Sequence, residues 1–371
     1  MKEPVTLANW RSAPFNRWAF HHVRELVPSA DIPSDPAHAR PLALRNTDLA
    51  SLRIDPDSGE AMGIEGFLQE TDTDGMAIVH RGALAFERYG SGMTAEAPHI
   101  LMSVSKAMLG LLIGELGLEP ERHVVDVLPE LRPTAYREAT VRHLLDMRAA
   151  IVWDENYLAS AGPMVEYRKA TGWNPLAPGE EASDLHSFYR TLTKAGRHGG
   201  PVHYVSPNSD LLGWVIERAS GRRYADLMSE LVWKKSGAER SAYITVDRLG
   251  APRCAGGMCT TLRDLARVGQ WLIEERADFL SDLARGDAEA WAKGDLAQYF
   301  RGLPMRYRSQ WYVLDGDAPL FFGWGIHGQF LFVDPANEIV VAKFSSQALP
   351  IDVPRIGLTL RAVSQLRNYL A

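Results

Sequence analysis

Apolar and polar positions alternate with a β period near residue 80 and with a helical period further along the chain. The segments 76–79 and 84–89 flank the turn His80–Gly82, which predicts a β-hairpin. From 100 to 118 the pattern becomes helical and is apolar on nearly every face, as is typical of a buried helix. Toward the C terminus, three β-rich segments and a closing helical pattern follow at 310–314, 329–333, 339–344 and 356–370.

The middle of the chain alternates short helical patterns with loops that contain Pro and Gly. Strands at both ends with helices between them indicate an α+β fold, in which both termini form an antiparallel sheet around a helical insertion. We therefore predict an extended N-terminal arm over 1–65, an α/β domain over 66–125 and 246–371, and a mostly helical subdomain over 126–245. The expected anchors of the arm in the core are Trp10, Phe15, Trp18 and Phe20.

Composition and charge exclude several functional classes. The 371 residues are 46% hydrophobic and carry 40 Lys and Arg against 46 Asp and Glu, a net charge of -6, which argues against a basic nucleic-acid binder and against a disordered chain. No apolar segment is long enough for a membrane span, and the start of the chain lacks the apolar region of a secretory signal. Cys254 and Cys259 are too few for a disulfide framework and are expected to be core residues. We expect a soluble, cytoplasmic protein; a homodimer stays open.

Lys106 is the first residue in the chain that could take part in catalysis. It lies within the apolar helical pattern and, of the eight lysines, is the only one with a serine, Ser103, three positions before it. That spacing puts both side chains on one helix face, where burial would lower the pKa of the amine and allow it to activate the hydroxyl. The alternative is a lysine that extends to solvent from the end of the helix.

Two further segments carry candidate chemistry. Tyr204 and Ser206 lie on a turn that opens the helical pattern after Pro207. A lysine ammonium nearby would stabilise a tyrosine phenolate, so Tyr204 could relay protons to and from Ser103; a core tyrosine beside a helix cap is the alternative. The glycines of Gly323–Gly328 match a dinucleotide fingerprint, but a β pattern follows instead of a helix. We therefore interpret them as a strand that approaches a ligand or another backbone and exposes an oxyanion donor, while a structural role for His327 stays open.

These three motifs, in this order, resemble those of the serine β-lactamase and penicillin-binding-protein-like superfamily, and most closely its branch of 6-aminohexanoate-dimer hydrolases and β-lactamase-like esterases. The resemblance covers nearly the whole chain. It includes the stretches Asn9–Trp10, Asn16–Trp18, Thr140–Arg148, Trp153–Tyr157, Gly256–Thr261 and Gly325–Gln329. The fold that it implies is an antiparallel sheet flanked by helices, with an all-α subdomain and the active site between them.

The resemblance also implies roles for individual residues. Ser103 matches the acylated nucleophile, Lys106 its base and Tyr204 the second proton-transfer residue. The backbone amides of Ser103 and Ile326 match the oxyanion hole. The positions that match substrate-binding residues are Tyr157, Trp173, Ser206, Gly325 and His327.

The chain departs from these relatives at three places. Gly323–Gly325 replaces Lys-Thr-Gly and removes a cation that engages the carboxylate of a β-lactam, and Ser206 stands where many relatives have Asn. Arg168 lies where a nylon-oligomer hydrolase would place an acidic residue for the amino end of its substrate. The first two differences favour esters or simple amides over β-lactams, and the third argues against a nylon oligomer as the substrate.

The sequence therefore predicts a serine hydrolase that cleaves a carboxylic ester or simple amide through a covalent acyl-enzyme. It needs no metal or other cofactor, and its partner is a small-molecule substrate rather than nucleic acid or a membrane. The alternatives are a non-catalytic protein that binds acyl compounds in the same cleft, and a DD-peptidase or β-lactamase-like enzyme.

Overall fold

The structure, a computed structural model, describes residues 3–371. The strands are β1 Ser29–Ile32, β2 Ala43–Leu44, β3 Thr73–His80, β4 Ala83–Tyr89, β5 His99–Ile100, β6 Ala242–Thr245, β7 Met258–Thr260, β8 Met305–Arg308, β9 Trp311–Leu314, β10 Leu320–Gly325, β11 Gln329–Asp334 and β12 Ile339–Ser345. The α-helices are α1 Asn16–Ala19, α2 Ile64–Glu70, α3 Val104–Leu116, α4 Val124–Val127, α5 Val141–Leu145, α6 Pro163–Ala170, α7 Leu185–Phe188, α8 Ser206–Ser220, α9 Tyr224–Met228, α10 Leu262–Glu275, α11 Ala277–Leu283, α12 Ala288–Ala292 and α13 Val353–Leu370. Short 3₁₀ turns lie at Val23–Glu25, Pro36–His38, Pro129–Leu131, Tyr189–Thr191, Asp295–Phe300 and Ile326–Gly328, and a π turn lies at Ser229–Trp233.

An eight-stranded sheet forms the main β layer, in the order β2-β4-β3-β12-β11-β10-β9-β8. Its strands are antiparallel except for the edge pair β2–β4, which is parallel. The predicted hairpin is confirmed: β3 and β4 pair across a turn in which Arg81 and Gly82 both have positive φ, 50° and 73°, as a tight two-residue hairpin requires. Since β3 pairs with β12, segments from both ends of the chain meet at the centre of the sheet, as the sequence predicts.

A second, four-stranded sheet in the order β1-β6-β7-β5 leads into the buried helix. The predicted helix over 100–118 is wrong at its start, because Ile100 belongs to β5 and pairs with Cys259 of β7. Helix α3 begins at Val104 and ends before Gly117, whose φ of 65° stops it. The short strand β5 therefore fixes where α3 starts.

Helix α3 lies directly against β10 of the large sheet. A Cβ atom at Gly323 would lie 3.1 Å from Cβ of Ala107 and 3.2 Å from a methyl group of Val104, so the absence of a side chain lets helix and strand approach closely. All residues of α3 from Val104 to Ile113 are buried. The site that follows is therefore built on a helix held on all sides.

The N-terminal arm is anchored at only part of its aromatic residues. Trp10 and Phe20 are fully buried and Phe15 is half-buried. The prediction that Trp18 anchors the arm is wrong: it is 38% exposed and stacks on His22 with ring centroids 4.2 Å apart. Helix α1 turns Asn16 and Ala19 inward instead.

The predicted division into an arm, an α/β domain and a helical subdomain stays a prediction. One continuous core cluster includes residues of α3, α5 and α10, such as Leu109, Leu144 and Leu265. Cys254 and Cys259 are buried free thiols, as the sequence predicts.

Candidate active site

The amine of Lys106 and the hydroxyl of Ser103 form a hydrogen bond at the start of α3. The amine Nζ lies 2.9 Å from Oγ of Ser103 and also donates to the carbonyl of Ala255 at 2.7 Å. The lysine is 1% exposed, and burial lowers the pKa of its amine to about 7, with Glu155 acting in the opposite direction. The amine can therefore exist in its neutral form near neutral pH, within reach of the serine proton.

Ser103 is held at the junction between β5 and α3. It is the residue immediately before the helix, and the preceding residue, Met102, has a positive φ of 44°, a conformation that costs a non-glycine residue roughly 1–3 kcal/mol. The buried side chain of Met102 packs in a cluster with Trp10 and Trp173, which holds this backbone in place. The strain lies next to the hydroxyl that the motif singles out.

A carboxylate lies behind Ser206. The hydroxyl of Ser206 is 3.1 Å from Nζ of Lys106 and donates to Glu155, whose other oxygen accepts from the Ser206 amide at 3.0 Å. The indole of Trp153 also donates to Glu155, at 2.5 Å. A chain of polar contacts thus runs from Lys106 through Ser206 to Glu155.

Tyr204 also belongs to this cluster, but not as a phenolate. Nζ of Lys106 lies 4.8 Å from the centre of the Tyr204 ring, and the phenol contacts the hydroxyl of Ser103. Burial and the nearby Glu155 raise the pKa of Tyr204, which corrects the expectation that the ammonium stabilises a phenolate here. The hydroxyl of Tyr312, another neighbour of Tyr204, is buried and makes no hydrogen bond to any residue that the structure describes. The phenol of Tyr204 is therefore protonated near neutral pH.

A buried ion pair supports the carbonyl that Lys106 binds. Asp210 accepts from the guanidinium of Arg253 at 2.5 Å and from the amide of Ala255 at 2.6 Å. The Tyr167 hydroxyl donates to the same carboxylate at 2.5 Å. Because the Ala255 carbonyl accepts from Lys106, this network sets the position of the amine.

The glycine-rich strand β10 ends beside the Ser103 amide. A Cβ atom at Gly325 would lie 2.9 Å from the Ser103 nitrogen and 2.7 Å from the Leu101 carbonyl oxygen, so only glycine fits. Ile326 follows and lines the same cleft as Ser103. The two residues predicted to supply oxyanion donors therefore lie together.

The predicted substrate-binding residues surround Ser103 unequally. Tyr157 lines the cleft together with Ser103. Trp173 lines a second recess, where the centre of its ring lies 4.9 Å from the guanidinium carbon of Arg253. His327 is buried, and its ring contacts the Gln347 carbonyl at 2.7 Å; burial lowers the pKa of the imidazole to about 4. These contacts fit a structural role for His327 better than a role in substrate binding.

Two spaces meet at Ser103. The first, of about 570 Å³ including its open mouth, has aromatic and apolar walls together with polar groups. It is lined by Ser103, Asp154, Glu155, Tyr157, Tyr204, Asp295, Leu296, Gln298, Tyr299, Trp324, Ile326 and Ile351. The second, of about 410 Å³, reaches Ser103 from the side of Trp173 and Arg253. A carbonyl at Ser103 could therefore extend a substituent into each.

Sequence reasoning missed Glu155, Asp210 and Arg253. Glu155 lies in a loop, and nothing in the local pattern separates it from surface carboxylates. For Asp210 a signal existed, since a carboxylate four residues after Ser206 on an amphipathic helix shares its face.

A serine and a buried lysine one turn apart, with a tyrosine and a glycine strand beside them, have the arrangement that serine hydrolases of the β-lactamase type share. The family described as Beta-lactamase matches residues 64–364, and the chain belongs to this family and is a serine hydrolase. Among the residues described, no helix is long and apolar enough to cross a bilayer.

Among individual proteins, the chain is 34% identical over 358 residues to the 6-aminohexanoate-dimer hydrolase of Paenarthrobacter ureafaciens, covering 92% of this chain and 88% of that protein. Its fold matches a provisionally named 6-aminohexanoate-dimer hydrolase from Bacillus anthracis, with a TM-score of 0.90 at 24% identity over 100% of this chain and 98% of the other. It also matches a D-stereospecific amidohydrolase from Streptomyces sp., with a TM-score of 0.58 at 16% identity over 79% and 97%. The predicted fold class is confirmed.

Proposed function

We propose that this hydrolase cleaves a carboxylic ester or simple amide through an acyl-enzyme on Ser103. The observation that carries the proposal is the 2.9 Å contact between the Ser103 hydroxyl and a buried amine whose pKa is about 7. A neutral amine at that distance can accept the hydroxyl proton as the oxygen attacks a carbonyl carbon. The 34% identity to an amide hydrolase supports the same reaction class.

The proposed steps use groups already in place. As Ser103 Oγ bonds to the carbonyl carbon, Lys106 takes its proton, and the oxyanion accepts hydrogen bonds from the amides of Ser103 and Ile326. The bond to the leaving group then breaks, and Tyr204 gives that group its proton and recovers one from Lys106. Water adds to the acyl-enzyme, giving a proton to the same amine, and collapse of the intermediate returns that proton to Ser103.

The residues that flank the site are consistent with ester or simple amide substrates. Ser206, which binds Lys106 and Glu155, offers a hydroxyl rather than an amide, and β10 carries Gly323–Gly325 with no cation. Tyr157 lies at the junction of both spaces, so we assign it contact with the substrate next to the carbonyl.

Covalent labelling tests the proposal. We expect a fluorophosphonate probe to modify Ser103, as read by peptide mass spectrometry, and Ser103→Ala to lose both labelling and turnover of nitrophenyl esters. Ser160→Ala, which removes an exposed serine of the neighbouring hollow lined by Tyr157, is the matched control and should keep both. An adduct on another residue, or full activity of Ser103→Ala, would overturn the proposal. Thermal stabilisation by acyl compounds without any turnover would favour the non-catalytic alternative.

The cellular compartment and the oligomeric state of the enzyme also belong to the proposal. We propose that the enzyme acts in the cytoplasm, with esterase as well as amidase activity and no nucleic-acid partner. Cell fractionation tests the compartment, and light scattering on the purified chain distinguishes a monomer from the homodimer.

A further inference from the structure

Two guanidinium groups without carboxylate partners lie in the recess that reaches Ser103. Arg11 comes from the N-terminal arm and Arg168 from α6, and both line this recess and the wider hollow outside it. Over residues 3–371, neither guanidinium has a carboxylate oxygen within the 4.0 Å of an ion pair. Cations in such a position are available to an anionic ligand.

The partners that these arginines do have are neutral. Arg168 is buried and donates to the carbonyls of Tyr157, at 2.5 Å, and Ala159, at 3.2 Å. Arg11 donates to the side-chain oxygen of Asn174, and its Nε is buried without any hydrogen-bond partner. Buried polar groups are normally paired, so the free donor of Arg11 points to a missing acceptor.

Positive charge also exceeds negative charge around this recess. Arg11, Arg168 and Arg253 line this recess with one carboxylate, Glu155, and a second carboxylate, Asp210, contacts Arg253. Asp210 is taken up by Arg253, and Glu155 accepts from Ser206 and Trp153. Burial, together with the neighbouring arginines, lowers the pKa of Arg11 to about 9. A bound anion would relieve this repulsion.

The two spaces at Ser103 indicate which part of the substrate carries the anion. Tyr204, which in the proposed mechanism protonates the leaving group, lines the aromatic cleft and not the recess with the arginines. The leaving group then occupies the cleft, and the acyl group extends past Trp173 toward Arg11 and Arg168.

We propose that Arg11 and Arg168 select substrates whose acyl group ends in a carboxylate, such as the half-amides or half-esters of dicarboxylic acids. The inference rests on the proposed acyl-enzyme mechanism and assigns its acyl specificity. Guanidinium groups match carboxylates through two parallel hydrogen bonds, which would give selectivity for the terminal group as well as for its charge.

A matched substrate series tests the inference. Nitrophenyl esters of adipic, pimelic and suberic acids with a free terminal carboxylate are compared with the same esters capped as primary amides, which are neutral and nearly isosteric. We expect kcat/KM for the best carboxylate to exceed that of its amide by about tenfold or more, as for loss of a charge-assisted hydrogen bond. The ratio should fall toward one in Arg168→Gln and in Arg11→Gln, and Arg168→Lys should retain part of it.

Controls separate specificity from damage to the fold. Arg190→Gln removes an exposed arginine elsewhere and should leave the ratio unchanged. A loosened loop around Tyr157 would lower turnover of both substrates equally, whereas the inference requires a change in their ratio. Equal turnover of both members by the native enzyme, or a ratio unaffected by both glutamine variants, would overturn the inference and leave Ser103 as the nucleophile. Absence of both turnover and phosphonate labelling would overturn the proposed function as well.

Discussion

Glu155 lies opposite Lys106 across the hydroxyl of Ser206, which contacts the amine at 3.1 Å and donates to the carboxylate. The carboxylate raises the pKa of the Lys106 amine against the larger, opposite effect of burial, and it also raises the pKa of Tyr204. One carboxylate therefore biases both proton-transfer groups toward their protonated forms.

Removing that charge should shift the pH profile toward acid. In Glu155→Gln the pKa of Lys106 should fall below its native value of about 7, so the neutral amine persists to lower pH. We expect the acidic limb of kcat/KM to move to lower pH than in the native enzyme, measured with a neutral nitrophenyl ester. Asp154→Asn, on the neighbouring exposed carboxylate of the same cleft, is the control. A limb that stays in place or moves to higher pH would contradict the assignment of that limb to Lys106.

Tyr204→Phe should slow hydrolysis by an amount that depends on the leaving group of the substrate. If Tyr204 protonates the departing group, its loss should reduce amide hydrolysis by about a hundredfold or more, because an amine cannot leave without a proton. A nitrophenolate leaves readily as an anion, so hydrolysis of the nitrophenyl ester should fall far less. The ratio of the two rates in one preparation provides the measurement. Equal losses for both substrates would show that Tyr204 acts earlier, during acylation by attack of Ser103.

The part of this site that could be predicted is the part that is local in sequence. Ser103 and Lys106 lie one helical turn apart, so their contact follows from the helix period alone. The hairpin around His80–Gly82 is equally local. In contrast, Glu155, Asp210 and Arg11 reach the site through tertiary packing of loops and of the N-terminal arm, for which a single sequence gives no distance.

The environment of a side chain in the fold also determines properties that its residue type does not predict. A tyrosine near a lysine is expected to have a lowered pKa, but the surrounding carboxylate and the loss of water reverse the sign at Tyr204. Trp18 is a large aromatic residue of the kind expected to anchor the N-terminal arm in the core, yet the helix that carries it turns other residues inward.

Gly325→Ala should impair catalysis with little effect on the rest of the fold. The new methyl group would meet the Leu101 carbonyl at 2.7 Å and the Ser103 amide at 2.9 Å, both of them backbone atoms that cannot rotate away. We expect kcat to fall by about a hundredfold, the effect of losing one oxyanion donor. Gly196→Ala, where nothing lies within 4 Å of the added Cβ, should behave as the native enzyme. Native kcat in Gly325→Ala would refute the placement of the oxyanion hole.

Asp210→Asn should weaken both stability and the position of the amine. It leaves the buried Arg253 without its carboxylate, and breaking a buried ion pair from one side costs about 3–5 kcal/mol of unfolding free energy. Because Asp210 also holds the Ala255 amide, the carbonyl that binds Lys106 should shift and kcat should drop, with KM less affected. Urea unfolding and steady-state kinetics measure the two effects. Asp226→Asn, an exposed carboxylate, is the control, and an unchanged unfolding midpoint in Asp210→Asn would contradict this account.

A second buried amine should make stability depend on pH. Lys343 of β12 is fully buried, donates to the Ser345 hydroxyl at 2.5 Å, and has its pKa lowered to about 7 by burial, with Asp74 opposing. In the unfolded chain a lysine titrates near pH 10.4, so between about pH 7 and pH 10 the unfolded state binds one more proton than the folded state at this residue. Stability should therefore rise with pH across this window, and below pH 7 the folded protein bears the full cost of a buried charge.

Lys343→Met isolates this contribution from that of Lys106, which has the same sign. The slope of unfolding free energy against pH should decrease by up to about 1.4 kcal/mol per pH unit, the value for one proton. The largest gain in stability should occur at and below pH 7, where methionine replaces a charged amine. Lys234→Met, on an exposed lysine, should leave the slope unchanged. Parallel curves for Lys343→Met and the native protein would mean that this amine is charged in the fold and stabilised by the carboxylate of Asp74, rather than neutral within the sheet.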